Sequence, residues 1–281
     1  MSVRLILDSA SNLPEALRAR TTMLPVRVRF GDEEYLEGIN LTGEEFYRKL
    51  ESESSLPATS QVPPVDFAKA FAETAAAGDT AVVLTVASAL SGTYQSAMIA
   101  AAGYAGRIFV TDSATAAIGT GILAEYALRL IDKGLDARAV TEALEKEKHR
   151  VHVIALLDTL EYLKRGGRIS PAAAFAGGIL NIKPVAAIEN GEVILLGKAR
   201  GSKQSRNLLT EMIEKTGGVD FSMPVLLGRT GTDDSLLQNY IEDSTSLWAG
   251  HLDRLESTLI GSSIGTHAGP GAIAAAFFSR S

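Results

Sequence analysis

Three short apolar runs in the N-terminal half, each closing on small polar side chains, restrict the fold of this 281-residue chain more than any other pattern in it. Val3 to Leu7 runs into Asp8-Ser9. Thr80 to Val86 runs into a Ser/Gly turn at Ser88 to Gly92, and the small residues that follow predict a helix from about Tyr94 to Ala102. Arg107 to Val110 leads into Thr111-Asp112-Ser113 and an Ala/Gly/Leu helix ending near Lys133-Gly134, where glycine supplies a C-cap. Such runs are short enough for strands and apolar on both faces, as strands are when helices cover each side of a sheet. Strand, polar turn, helix, strand therefore predicts an α/β fold with a parallel sheet flanked by helices. Ligands in such sheets gather at the carboxyl ends of the strands. Asp8-Ser9, Ser91 to Tyr94 and Asp112-Ser113 are all expected there, around one crevice.

The pattern changes after a charged amphipathic helix over Asp136 to Arg150. Val151 to Leu157 opens a second series of elements. Val185 to Ile188, a two-residue turn at Asn190-Gly191, and Glu192 to Leu196 read as a β-hairpin. Further strands are expected at Pro224 to Gly228 and Ser257 to Ser262, with a helix from about Asp234 to Ala249 between them. The reading is of two domains: residues 1–150 as a parallel α/β unit, and residues 151–281 as a mixed α/β unit that contributes to a shared pocket. An apolar share of 46% is enough for packed cores in both.

Composition then narrows function. The formal net charge is -6 with lysine and arginine scattered among acids, so the chain lacks the footprint of a nucleic-acid binder. It has no cysteine, which removes disulfides, thiolate metal sites and a cysteine nucleophile, and fits a cytoplasmic location. Four scattered histidines give no metal-ligand spacing, so no metal is expected. The apolar run at the N-terminus is too short for a signal-peptide core or a membrane span, and no integral membrane segment is expected.

Four segments carry candidate chemistry. Pro57 to Pro64 is a polar loop bracketed by prolines, which can hold the Thr59 and Ser60 hydroxyls in place or serve as the cap of a helix over Asp66 to Ala77. Ser91-Gly92-Thr93-Tyr94 lies between strand and helix, where backbone N–H groups and the positive helix end suit an anion, or simply start a capped helix. Leu156 to Ser170 combines an amphipathic helix with a cationic end that stops at Gly166, beyond which Arg168 is expected to point outward to an anion or a partner. Gly265 to Gly271 sets His267 in a glycine-dense loop that allows close approach of a ligand or of another backbone. Two pattern matches fail. Gly261-Ser262-Ser263-Ile264-Gly265 fits a nucleophile elbow, yet no Asp or Glu follows Ser263, so the hydrolase order is broken. Gly119-Thr120-Gly121 lacks the third glycine of a dinucleotide loop and falls within a helix, where the glycines are expected to serve close packing.

Taken in order, Asp8-Ser9 with Leu13-Pro14, Tyr35-Leu36-Glu37-Gly38, Thr59-Ser60-Gln61, Ser91-Gly92-Thr93-Tyr94, Leu163 to Ile169, Lys198-Ala199-Arg200-Gly201 and His267-Ala268-Gly269-Pro270-Gly271 resemble the bacterial DegV family, which includes the FakB-type fatty-acid-binding components of fatty acid kinase. The likeness runs nearly the whole length. Asn12 and Glu37 depart from it, since the family more often has Asp at both, and neither is expected to touch lipid. The resemblance implies a two-domain α/β protein, itself non-catalytic and without a cofactor, that buries a long-chain fatty acid. It also implies a carboxylate bound by Thr59, Ser91 and His267, with Ser60, Gly92 and Thr93 beside them, and a separate ATP-dependent kinase subunit that phosphorylates the bound carboxyl for phospholipid synthesis. Arg168, Arg200 and Lys203 are the expected docking cations for that subunit. A lipid-responsive regulatory protein and a stand-alone serine hydrolase are the alternatives.

Overall fold

The computed structural model describes residues 2–53, 55–171, 182–251 and 255–280. Strands β1 (Val3–Asp8), β2 (Thr22–Leu24), β3 (Arg27–Phe30), β4 (Glu33–Leu36), β5 (Ala58–Ser60), β6 (Thr80–Thr85) and β7 (Ile108–Asp112) belong to the first half. The second half holds β8 (Val151–Leu156), β9 (Ile182–Glu189), β10 (Glu192–Arg200), β11 (Leu226–Arg229), β12 (Glu256–Leu259) and β13 (Ile273–Phe278). The helices, in chain order, are α1 (Glu15–Arg18), α2 (Gly43–Ser52), α3 (Pro64–Ala76), α4 (Thr93–Ala101), α5 (Ile118–Asp132), α6 (Ala137–Glu147), α7 (Glu161–Arg165), α8 (Ser202–Lys215), α9 (Ser235–Asp243) and α10 (Ser262–Ala268).

The expected parallel sheet is present, in the order β2-β1-β6-β7. Leu5, Leu7, Val82 and Leu84 are nearly inaccessible to solvent, and each such side chain contributes about 1.5–3 kcal/mol on burial. A mixed six-stranded sheet follows, in the order β10-β9-β8-β13-β11-β12, antiparallel except for the pair β11 and β12. The strands divide at residue 150, but the core does not. One hydrophobic cluster joins Leu5 and Leu84 to Val153, Ala274 and Phe278 through Ile118, Ile122 and Leu123 of α5. Gly119 and Gly121 make that helix thin: a Cβ on Gly121 would strike the Asn12 carbonyl, and one on Gly119 would strike Thr115 and Val153.

Several elements differ from expectation. Strands β3, β4 and β5 build a third, antiparallel sheet, in the order β4-β3-β5, and the Pro57 to Pro64 segment supplies β5, with Val28 opposite Thr59. Pro63 rather than a hydroxyl precedes α3, so Thr59 and Ser60 do not cap it. The hairpin turns at Asn190-Gly191 as expected, both with positive φ, but its strands extend to Ile182 and Arg200. The helix expected to reach Ala249 stops at Asp243, because the Ser244 and Thr245 hydroxyls bond back to the Tyr240 and Glu242 carbonyls. His267 lies in the last turn of α10, not in a loop; the glycines flanking it are Gly265 within the helix and Gly269 at its end.

Candidate functional site

Between the parallel sheet and the mixed one lies a cavity of about 400 Å³. Its walls are small and apolar: Ala10, Val26, Val86, Ala116 and Ala117 from the first half, and Val153, Ala155, Ala187, Ile188, Val193, Ala272 and Ala274 from the second. Alanine is the commonest lining residue, and short side chains along buried strands are what leave a channel in a two-layer core.

Most of the polar lining comes from four short segments that meet. Strand β5 brings Thr59 and Ser60, followed by Gln61. The β6–α4 turn brings Ser91 and Gly92, and Gly92 packs so closely on the Gln61 amide that a Cβ there would collide with it. Helix α10 brings His267, whose Nε2 lies 2.9 Å from Thr59 Oγ1. Arg168 follows α7 and donates from Nε to the Leu90 carbonyl at 3.2 Å and from Nη1 to the Gly166 carbonyl at 2.6 Å.

Burial, and secondarily the Arg168 charge, lower the His267 pKa to about 4, so the ring is a neutral imidazole at neutral pH. Its Nδ1 is buried with no hydrogen-bond partner and faces the Cα of Gly166. With the single proton on Nε2, the tautomer that leaves no buried N–H unpaired at Nδ1, the ring donates to Thr59 and the Thr59 O–H is free for a ligand. Ser91 is arranged the same way. Its Oγ accepts the Thr93 backbone N–H at 3.3 Å and lies 2.9 Å from Thr93 Oγ1, which itself accepts the Val62 N–H at 3.4 Å. With Thr93 donating inward to Ser91, the Ser91 O–H is left to donate into the cavity. Helix α4 opens on Gly92 without a side-chain cap, adding its positive end. Two outward-donating hydroxyls, one of them oriented by the neutral ring, and a helix terminus are suited to one carboxylate.

The structure brings together Thr59, Ser60, Ser91, Gly92 and His267 at the cavity, and changes the roles of others. Thr93 is fully buried beneath Ser91 and does not line the cavity; it orients rather than contacts. Arg168, expected to point outward, turns inward to line the cavity because the Leu90 and Gly166 carbonyls take its guanidinium. Arg200 and Lys203 are exposed, at the end of β10 and the start of α8. Asp8, Ser9, Asp112 and Ser113 do not face the crevice: Asp8 and Ser9 lie beneath it, and Asp112 binds the Ser88 and Ala114 N–H groups. Asn12 and Glu37 do not line it either. Gln61, Thr230 and Ser263 do line it and were not foreseen. Gln61 carried a signal as the third member of the Thr-Ser-Gln triplet, and Ser263 only as part of the failed nucleophile-elbow match.

Below the site, two carboxylates are buried. Glu37 accepts Ser9 Oγ–H at 2.6 Å and the Ser263 N–H at 2.9 Å, and burial raises its pKa against those bonds. Asp8 accepts the Ala10 N–H at 3.0 Å and the Val86 N–H at 2.8 Å, and burial pushes it up to about 7. Among the described residues there is no cluster of His, Asp and Glu suited to a metal ion, and no helix is long and apolar enough to cross a membrane.

A mostly apolar cavity between a parallel and a mixed sheet, with a group of donors for a single anion in its lining, suits a binding protein for an amphiphile. The chain belongs to the DegV family: the family model described as uncharacterised protein, DegV family, matches residues 2–280. A DegV domain-containing protein of Caldanaerobacter subterraneus subsp. tengcongensis is 33% identical over 279 residues, covering 98% of each chain. Among solved structures, a DegV family protein from Thermus thermophilus, described by its fatty acid binding, is 31% identical with a TM-score of 0.89 over 100% of both chains. A stearic-acid-binding protein from Eubacterium ventriosum is 25% identical with a TM-score of 0.87, covering 99% of this chain and 98% of the other.

Proposed function

We propose that this protein binds one long-chain fatty acid, its tail in the alanine-lined cavity and its carboxylate held by Thr59, Ser91 and His267. The observation that carries the reading is the Thr59–His267 pair, set with Ser91 in the lining of a mostly apolar cavity. The fatty acid binding described for the Thermus thermophilus and Eubacterium ventriosum relatives supports it. Each buried CH2 is worth about 0.8 kcal/mol, so a sixteen-carbon tail supplies on the order of 10 kcal/mol before association costs. The tail therefore dominates affinity, and the headgroup donors offset the cost of stripping water from the carboxylate. A grip of hydroxyls, with the Arg168 guanidinium held by the Leu90 and Gly166 carbonyls, leaves a carboxylate oxygen able to attack a phosphoryl donor, which a bidentate arginine clamp would not.

In the same reading the protein is a carrier that presents the carboxylate to a separate kinase subunit, which forms the acyl phosphate used in phospholipid synthesis. The resemblance to FakB-type proteins supports this, as do the exposed cations Arg200 and Lys203. The stand-alone serine hydrolase reading gains no support from the hydrogen bonds: His267 pairs with Thr59 and Ser91 pairs with Thr93, so Ser91 is not paired to the imidazole. Native mass spectrometry of gently purified protein is expected to show an adduct of fatty-acid mass, and palmitate or oleate to raise the melting temperature. A protein that is always bare and indifferent to both acids would refute the proposal.

A further inference from the structure

The three residues of the proposed carboxylate grip sit on three separate arms, and each arm is tied to the same buried point. The His267 arm is α10, held near its start by the Ser263 N–H donated to Glu37 Oε1 at 2.9 Å. The Thr59 arm is β5, paired to β3, and the residue before β3, Val26, donates its N–H to Ser9 Oγ at 2.8 Å and accepts the Glu37 N–H at 3.1 Å. The Ser91 arm leaves β6 through Val86, whose N–H is taken by Asp8 Oδ2 at 2.8 Å. Asp8 and Ser9 are consecutive, and Ser9 Oγ–H donates to Glu37 Oε2 at 2.6 Å. Glu37 and Asp8 thus form one knot, with Ser9 as the bridge. Gly261 is the notch that admits it: a Cβ there would strike Glu37 Oε1 and approach the Asn12 amide. Asp8, Ser9 and Glu37 are all buried, and none lines the cavity.

Two carboxylates buried together are costly, and a knot that served packing alone would be better built from apolar side chains. What directed hydrogen bonds supply is a fixed registry among the segments they join. We infer that Glu37, through Ser9 and Ser263, is a positioning residue that sets the mutual registry of the three arms carrying Thr59, Ser91 and His267. Glu37 touches no ligand. It keeps His267 Nε2 at hydrogen-bond distance from Thr59 by fixing the helix four residues upstream, at Ser263, one turn below on the same face. This inference rests on the fatty-acid reading of the site, and it predicts that headgroup recognition and tail binding respond differently to the knot.

The test compares palmitic acid with its methyl ester on wild type, Glu37→Gln and Ser9→Ala, by calorimetry on the full chain. The ester shares the tail but cannot be gripped as an anion. Wild type is expected to prefer the acid, and each variant to lose roughly tenfold of that preference, as expected from one to two misplaced hydrogen bonds, while the ester affinity changes less than about threefold. A second readout uses no ligand: nitrogen-15 NMR of His267 is expected to show a fixed Nε2–H tautomer in wild type and averaged ring nitrogens in Glu37→Gln. If acid and ester affinities fall in parallel, or the acid preference and the ring signals stay as in wild type, the positioning role is overturned. If wild type binds neither compound, the fatty-acid reading fails instead, and the NMR arm still decides the registry. Circular dichroism identifies a variant that does not fold, in which case Ser9→Ala, which keeps both carboxylates, carries the test.

Discussion

Replacing Gly166 by alanine isolates the headgroup ring from everything else in the site. Gly166 has φ -72° and ψ -9°, an ordinary helical conformation, so alanine is allowed there and even gains about 0.4–1 kcal/mol by restricting the unfolded chain. Any loss must come from contact. A Cβ would overlap His267 Nδ1 and stand 2.8 Å from Cε1 and 3.2 Å from the Tyr162 carbonyl. The ring cannot slide away, because Nε2 already lies 2.9 Å from Thr59 Oγ1 on its far side. It must rotate out of its rotamer, at about 0.5–1.5 kcal/mol, and give up the Thr59 bond, worth about 0.5–1.5 kcal/mol. Together these predict a loss of about 1–3 kcal/mol in fatty-acid binding, on the order of 5- to 150-fold in Kd. Calorimetric titration with palmitate measures it. A double-mutant cycle sharpens the test: once His267→Ala has removed the ring, the extra methyl has room, so Gly166→Ala should add nothing to His267→Ala. Full affinity in the single variant, or additive losses in the double, would refute the packed-ring account of the grip.

Other expectations follow from the same geometry. His267 has a folded pKa of about 4 against an ordinary value of 6.5, so it favours the folded state fully above about pH 6.5 and progressively less as pH falls towards 4. Asp8, raised to about 7, works the other way: the folded state gains from holding its proton at low pH and loses that gain as pH rises from about 4 to 7. The His267 contribution is therefore read as the difference in melting temperature between wild type and His267→Ala, expected to shrink between pH 6.5 and 4; a constant difference would contradict a buried neutral ring. Ala155→Phe places a ring in the channel wall and is expected to weaken C16 and C18 acids more than tenfold while sparing C10, without lowering the melting temperature of the ligand-free protein. Equal losses at all lengths in competition binding would put the tail elsewhere. Charge reversal at Arg200 and Lys203 is expected to leave palmitate affinity unchanged and to reduce phosphorylation by the proposed kinase subunit several-fold, measured as acyl-phosphate formation; unimpaired turnover would remove these residues from the proposed docking surface.

The parallel sheet was legible because β1, β6 and β7 are short apolar runs between polar turns, a pattern set by burial on both faces. The hairpin turn was legible because Asn190-Gly191 suits two positive φ values. The sheet of β3, β4 and β5 was not: its strands are three or four residues long, too short for alternation to register. The helical setting of His267 was hidden by its glycines, which read as a loop and instead let Phe46 and Tyr47 pack against α10 at Gly265. Arg168 was misdirected for a related reason. A cation after a glycine stop reads as solvent-facing, and only the fold places the Leu90 and Gly166 carbonyls to turn it inward. Asp8-Ser9 stood out as polar residues at a strand end, but sequence order alone could not tell a ligand contact from a buried tie between segments distant in the chain.

The place of β13 bears on when the binding site comes into being. It is the last strand in sequence order, yet it lies between β8 and β11 in the middle of its sheet. During synthesis β8, β9 and β10 remain unjoined to β11 and β12 until Ile273–Phe278 has been made, and the core that the parallel sheet shares with Ala274 and Phe278 is incomplete until then. Ala272 and Ala274, which line the cavity, arrive with that strand. A nascent chain lacking that strand therefore lacks part of the cavity wall, and the cavity is completed only when the last strand of the sequence takes its place.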